Sequence, residues 1–192
     1  MKRSARSTHS ARGTYIARIV GIVAIAASLP AALAQMHGTP GKPLASPPAK
    51  AAVQLNGKQV NISYNSPSVR GRKIFGGLVP YGKVWRTGAN PATTLKTDTN
   101  LKIGTADVPA GTYTLYTLPS EGAWKLIINK QTGQWGTVYN QDQDLVRVDM
   151  QKAQMPNAQE RMSISFENTQ GNQTQLHVRW DTTDVWVPVV AQ

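Results

Sequence analysis

The sequence predicts an all-β domain, an antiparallel β-sandwich, and three observations carry that prediction. Apolar residues recur with a period of two. The alternating runs are short and are separated by turns containing glycine, proline or asparagine. No stretch keeps a 3.6-residue apolar period over three turns. Period-two alternation sends one set of side chains to a core and the other to water, and eight or nine such strands close most simply as two packed sheets. A closed or partly open barrel is the alternative, because composition does not fix curvature.

Taken in order, Val60, Ile62 and Tyr64 alternate with Asn61 and Ser63. Tyr113, Leu115 and Thr117 alternate with Thr114, Tyr116 and Leu118, a strand able to be apolar on both faces. Trp124, Leu126 and Ile128 follow, then Val146 and Val148. Met162, Ile164 and Phe166, Leu176, Val178 and Trp180, and finally Val185, Val187 and Val189 complete the pattern. The turns fall at Asn56-Gly57, Pro109-Ala110-Gly111, Glu121-Gly122, Thr132-Gly133 and Gly171-Asn172. Asp149–Glu160 is the one candidate for a short helix, and Pro156 interrupts it. The expected core includes Leu115, Leu126, Ile128, Val146, Val148, Ile164, Leu176 and Val178.

Three segments precede or make up this domain. Residues 1–34 read as a signal peptide. Lys2, Arg3, Arg6, Arg12 and Arg18 form a basic region, Ile19–Leu29 an apolar run, and Ala32-Leu33-Ala34 a small-x-small cleavage site before Gln35. Export to the periplasm or medium is the expectation; retention of the leader would instead leave an N-terminal membrane anchor. Residues 35–51, rich in proline and alanine, read as a flexible tether. Residues 52–190 read as a single β domain with no internal repeat. The chain has no cysteine, which removes disulfides, thiolate metal sites and cysteine nucleophiles together. Its formal charge of +11 falls to +6 once the leader's five basic residues are set aside. That balance favours acidic envelope surfaces, including peripheral contact with anionic lipid. Nucleic acid is not an expected partner of an exported chain.

The densest functional signal is Ser66–Thr94, which holds five basic residues and five glycines and no acidic side chain. Arginine offers a planar fork of donors to carboxylate, phosphate or sulfate. Aromatic rings offer flat walls, and glycine lets a ligand approach the backbone. The candidate ligand-binding residues are Arg70, Arg72, Lys73, Tyr81, Trp85, Arg86, Thr87, Asn90 and, from a later turn, Trp135. The expected ligand is a small anionic or saccharide-like molecule. The alternative for the same residues is ordinary packing and solvation, with Trp85 and Tyr81 in the core or at a hinge. Neither glycine-rich phosphate-loop pattern occurs here.

Catalytic and metal sets are sparse, and no catalytic residue and no cofactor are assigned. His177 lies on a predicted strand and reads as a structural histidine; no Gly-x-Ser-x-Gly elbow accompanies it. Asn140, Asp142 and Asp144 share the spacing of a calcium loop, but Leu145 replaces its glycine and Gln151 its final glutamate. Paired-carboxylate hydrolysis of a cell-envelope or carbohydrate substrate is the competing class, with nothing in the spacing to select the pair. The sequons at Asn61 and Asn172 read as strand and turn residues.

The run VRGRKIFGGLVPYGKVWRTGANPATTL, with PAGTYTLYTLP, W-x-L-I-I-N-K, Gln134-Trp135-Gly136 and the strand Asp144–Val148, resembles the bacterial DUF2911 family, exported proteins catalogued as a domain of unknown function. The likeness runs from about Val60 to Trp186. It implies an exported, mostly β domain and brings no assigned active site. Relatives commonly carry glutamate where this chain has Pro91, so whatever an acidic group contributes there is missing here.

Overall fold

The structure, a computed structural model, describes residues 45–192. It is all-β, and every strand pairing is antiparallel. The strands are β1 (Pro48–Leu55), β2 (Lys58–Asn65), β3 (Thr93–Thr97), β4 (Leu101–Ile103) and β5 (Ala106–Val108). They continue with β6 (Gly111–Leu118), β7 (Trp124–Asn129), β8 (Asp144–Gln170) and β9 (Gln173–Ala191), with one 3-10 turn at Gln141–Gln143. Among the described residues no helix is long and apolar enough to cross a membrane.

Hydrogen bonding runs unbroken in the order β1-β2-β3-β6-β7-β8-β9-β4-β5. The two layers are joined through β8. Its first residues pair with β7 (Leu126 opposite Val148), and the rest pairs with β9 (Ile164 opposite Val178). The edges β1 and β5 do not pair with each other, so the sheet is not closed into a barrel. The layers are tied by side chains as well: the Tyr64 hydroxyl on β2 accepts from the Ile164 amide of β8 at 3.1 Å, and Ser66 donates to the Met162 carbonyl at 2.6 Å.

The alternating residues fill the space between the layers. Val60, Ile62, Leu115, Leu126, Ile128, Val148, Ile164, Leu176 and Val178 are all buried; Val146 is only half-buried, next to a register shift in the β7–β8 ladder. The β6 strand is buried on both faces, Tyr113 and Leu115 toward the main core and Tyr116 toward a second cluster with Ile127 and Ala92. Asn56 and Gly57 both take positive φ (48° and 74°), the backbone of a two-residue hairpin turn whose twist matches the strands it joins.

Two expectations are corrected. Asp149–Glu160 is not helical but lies within β8, because its backbone finds partners in β7 and β9. Pro156 falls between Gln154 and Gln159, where the ladder shifts register and no amide is required of it. The tether also ends earlier than residue 51: Pro48–Ala51 pair with Ile62–Asn65 as the start of β1. The leader and the rest of the tether lie outside the described residues.

Strand β9 bends sharply. Seven residues of extended chain span about 23 Å, yet His177 Nδ1 donates to Asp184 at 2.9 Å within this strand. The bend sits at Asp181, with φ of 54°. Its inner side is closed by Arg179, which donates to Asp184 at 2.9 Å and forks onto Glu167 of β8 at 2.6 and 2.9 Å. Trp186 stacks on His177 at 5.4 Å. Burial alone would raise the Glu167 carboxyl, but the Ser165 hydroxyl and the Arg179 fork more than offset it, holding the group below its ordinary range. His177 is thus buried and hydrogen-bonded as a fastener of the bend.

Candidate functional site

The 27-residue connection from β2 to β3 is not a free loop. It places Ile74, Val79 and Trp85 in the core and is anchored through bridges from Ser68 to Arg161 and from Trp85 to Thr117. Phe75 meets Trp85, Trp124 and Trp180 edge-on, and Trp85 stacks on Trp180 with centroids 5.7 Å apart. At the surface edge of this aromatic cluster lies a cavity of about 270 Å³. Arg72, Trp85, Arg86 and Asn90 line it together with Ser46, Pro67, Leu78, Val79, Gly88, Ala89 and Trp180.

Of the sequence-derived candidates, Arg72, Trp85, Arg86 and Asn90 therefore meet, and five others do not line the cavity. The Arg70 amide bonds to Glu160 and its guanidinium donates to the Ala45 carbonyl. Lys73 is exposed. Tyr81 lies over Gly76, where a Cβ would stand 2.8 Å from its ring. Trp135 bridges to Pro91 and is 55% exposed. Thr87 is fully buried at φ 51°, an unusual backbone for a β-branched residue. Its carbonyl accepts from Thr93 at 2.9 Å and its hydroxyl donates to Thr117 at 3.2 Å, which fixes the Arg86–Asn90 turn from beneath.

The two cavity arginines differ in kind. Arg72 donates from Nε to the Val69 carbonyl at 3.0 Å and from Nη2 to the Ser68 carbonyl at 2.6 Å, so its charge is held in place by its own loop. Arg86 forms no ion pair with any acidic side chain among the described residues. Its Nε is buried without a hydrogen-bond partner, and burial holds its guanidinium below its ordinary range. An orphaned buried donor costs about 1–3 kcal/mol, more when it is charged. Asp144 pairs instead with Arg147 at 2.8 Å and Asp149 with Lys125 at 2.6 Å, and Asp142 forms no ion pair among the described residues.

Gly136 explains how Arg86 is held. A Cβ there would fall 2.0 Å from Arg86 Cδ and 2.7 Å from the Asn90 carbonyl oxygen, so the arginine stem lies flat against that glycine. The Gly136 amide donates to Asn90 at 3.1 Å. Gly136 belongs to the Gln134-Trp135-Gly136 motif quoted above, but nothing in the sequence tied it to Arg86. Trp180 was legible as a core strand residue and not as a cavity wall.

The supposed calcium loop has other work. Asn140 accepts from the Asp142 amide at 3.0 Å and starts the 3-10 turn, while Asp144 accepts from Tyr139 at 2.6 Å and from Asn129 at 2.8 Å. Among the described residues no group of three or more metal-ligating side chains converges. Burial, followed by the Asp144 carboxylate, pushes the Tyr139 phenol up to about 12 from 10.0. The folded state thus holds that proton more tightly than the unfolded chain. The stabilisation is complete below about pH 10 and is lost as pH rises toward 12. Tyr139→Phe should flatten that alkaline loss, read as urea midpoints at pH 8, 10 and 11. A variant whose midpoints keep a constant offset from the parent's would refute the assignment.

Comparison with known sequences gives one match. The model of the DUF2911 family, described as a protein of unknown function, matches residues 46–189. No curated protein and no solved structure matches the chain.

Proposed function

The chain belongs to the DUF2911 family, and we propose that it is an exported, noncatalytic binding domain of the cell envelope that captures a small anionic ligand in the Arg86 cavity. One observation carries the reading: two arginines line a preformed cavity that contains no acidic side chain, and one of them, Arg86, has no ion-pair partner among the described residues. A ligand anion would meet the Arg86 Nη groups, the part of the guanidinium that is not buried, in charge-assisted hydrogen bonds. Trp85 and Trp180 supply the apolar wall such pockets commonly have. The hydrolytic alternative requires a carboxylate pair across the cleft, and no lining residue is acidic.

Arg86→Ala tests the reading. It should weaken anion binding by about 2–3 kcal/mol while leaving the thermal midpoint unchanged or raised, because the orphaned donor is removed with the side chain. Calorimetric titration and thermal melts of the same samples read both. Equal affinity in the two proteins, or collapse of the fold in the variant, would make Arg86 a structural residue. Export is tested separately. Intact-mass analysis of protein recovered outside the cytoplasm should find Gln35 as the first residue, and retention of residues 1–34 there would favour the anchored form.

A further inference from the structure

We infer that the ligand is a monocarboxylate with a single ring-sized body and no cationic group, an inference that rests on reading the cavity as an anion site. Charge decides the last part. An ammonium group on the ligand, as in a free amino acid, would enter a cavity with two arginines and no acid among its lining residues. Desolvating such a cation without an opposing charge is strongly unfavourable.

Donor geometry decides the headgroup. Two of the five Arg72 N–H groups, on its Nε–Nη2 edge, are spent on the Val69 and Ser68 carbonyls, which holds that residue to its own loop. Arg86 Nε is buried out of reach, but its two Nη groups are not, and that end of a guanidinium presents two parallel N–H groups that match the two coplanar oxygens of a carboxylate. A phosphate dianion brings more charge and more acceptors than a carboxylate. The lining holds no lysine, and among the described residues the only helical element is a three-residue 3-10 turn, so no helix N-terminus serves phosphate.

Volume and wall decide the body. About 270 Å³ is less than twice the ~150 Å³ of an apolar cavity that takes one benzene ring. That is room enough for one ring and its substituents. Pro67, Leu78, Val79 and Trp85 are among the apolar residues of the lining, and Ser46 and Asn90 offer polar groups to hydroxyls or to the second carboxylate oxygen. A uronic acid and an alicyclic acid share this chemistry.

Titrating the full chain with glucuronate, cyclohexanecarboxylate, glucose, inorganic phosphate and phenylalanine separates the possibilities, followed by calorimetry and by quenching of tryptophan fluorescence. At least one of the two carboxylates should bind tenfold or more tighter than phosphate, phenylalanine and glucose. Arg86→Lys, which keeps charge but loses the fork, should weaken that binding at least tenfold. Preference for glucuronate identifies a sugar acid, and preference for cyclohexanecarboxylate an apolar one; either supports the inference. Phosphate binding as tight as carboxylate would overturn the carboxylate assignment while leaving an anion site in place. Phenylalanine binding as tight would overturn the exclusion of cations, and unchanged affinity in Arg86→Lys would overturn the fork. Failure of all three anionic probes, carboxylates and phosphate alike, would overturn the anion-site reading itself.

Discussion

Trp180→Ala should lower the unfolding free energy by about 3–5 kcal/mol, the range for truncating a buried aromatic side chain. Trp180 is 1% exposed. It stacks on Trp85, meets Phe75 at 6.1 Å and donates from its indole to the Glu160 carbonyl at 3.3 Å. The site cannot collapse to fill the void, because Trp85 and Phe75 are themselves pinned by Trp124 and by the backbone bridge to Thr117. A urea titration should show a lower midpoint at unchanged slope, the sign of lost stability without a change in denatured-state exposure. The same substitution removes one wall of the cavity, so ligand affinity should fall with stability. A loss under 1 kcal/mol would mean that the aromatic cluster is not the keystone of this layer.

Asp184→Ala should cost about 3 kcal/mol, near the lower end for breaking a buried pair by removal of one partner. Its carboxylate side chain is 10% exposed and accepts from His177 Nδ1 and from Arg179 Nε, both at 2.9 Å. Truncation leaves two donors unmet inside the bend of β9. Arg179 keeps its fork on Glu167, which limits the loss. The bend itself should loosen, so amide exchange should accelerate most from Trp180 to Val185. Uniform acceleration throughout the domain, with no excess at the bend, would show that the network stabilises the fold without shaping it.

The all-β class was legible because burial of one strand face imposes a period of two directly on the chain. Val60 to Tyr64 and Leu176 to Trp180 carry that period whatever their partners are. The Asn56-Gly57 turn was equally legible, since a two-residue hairpin demands positive φ at both positions and these residues tolerate it. The family likeness was readable from Gly82–Asn90 for a different reason, that an unbroken motif survives without its tertiary context.

What the sequence left open were matters of which distant groups meet. Val146–Val148 and Met162–Phe166 read as separate strands, yet one strand carries both, because it serves β7 at one end and β9 at the other. The segment between them is polar, so only backbone pairing makes it extended. The same limit applies to the candidate site. A glycine-rich basic run announces that arginines are presented, but not which are spent on carbonyls. Arg70 and Arg72 bond to their neighbourhood, whereas Arg86 is drawn under Gly136, fifty residues away, and is left with a buried donor unmet. That difference depends on three-dimensional exclusion of water and of acidic side chains. Local patterning determined the strands, and long-range packing alone decided which charge was left without a partner.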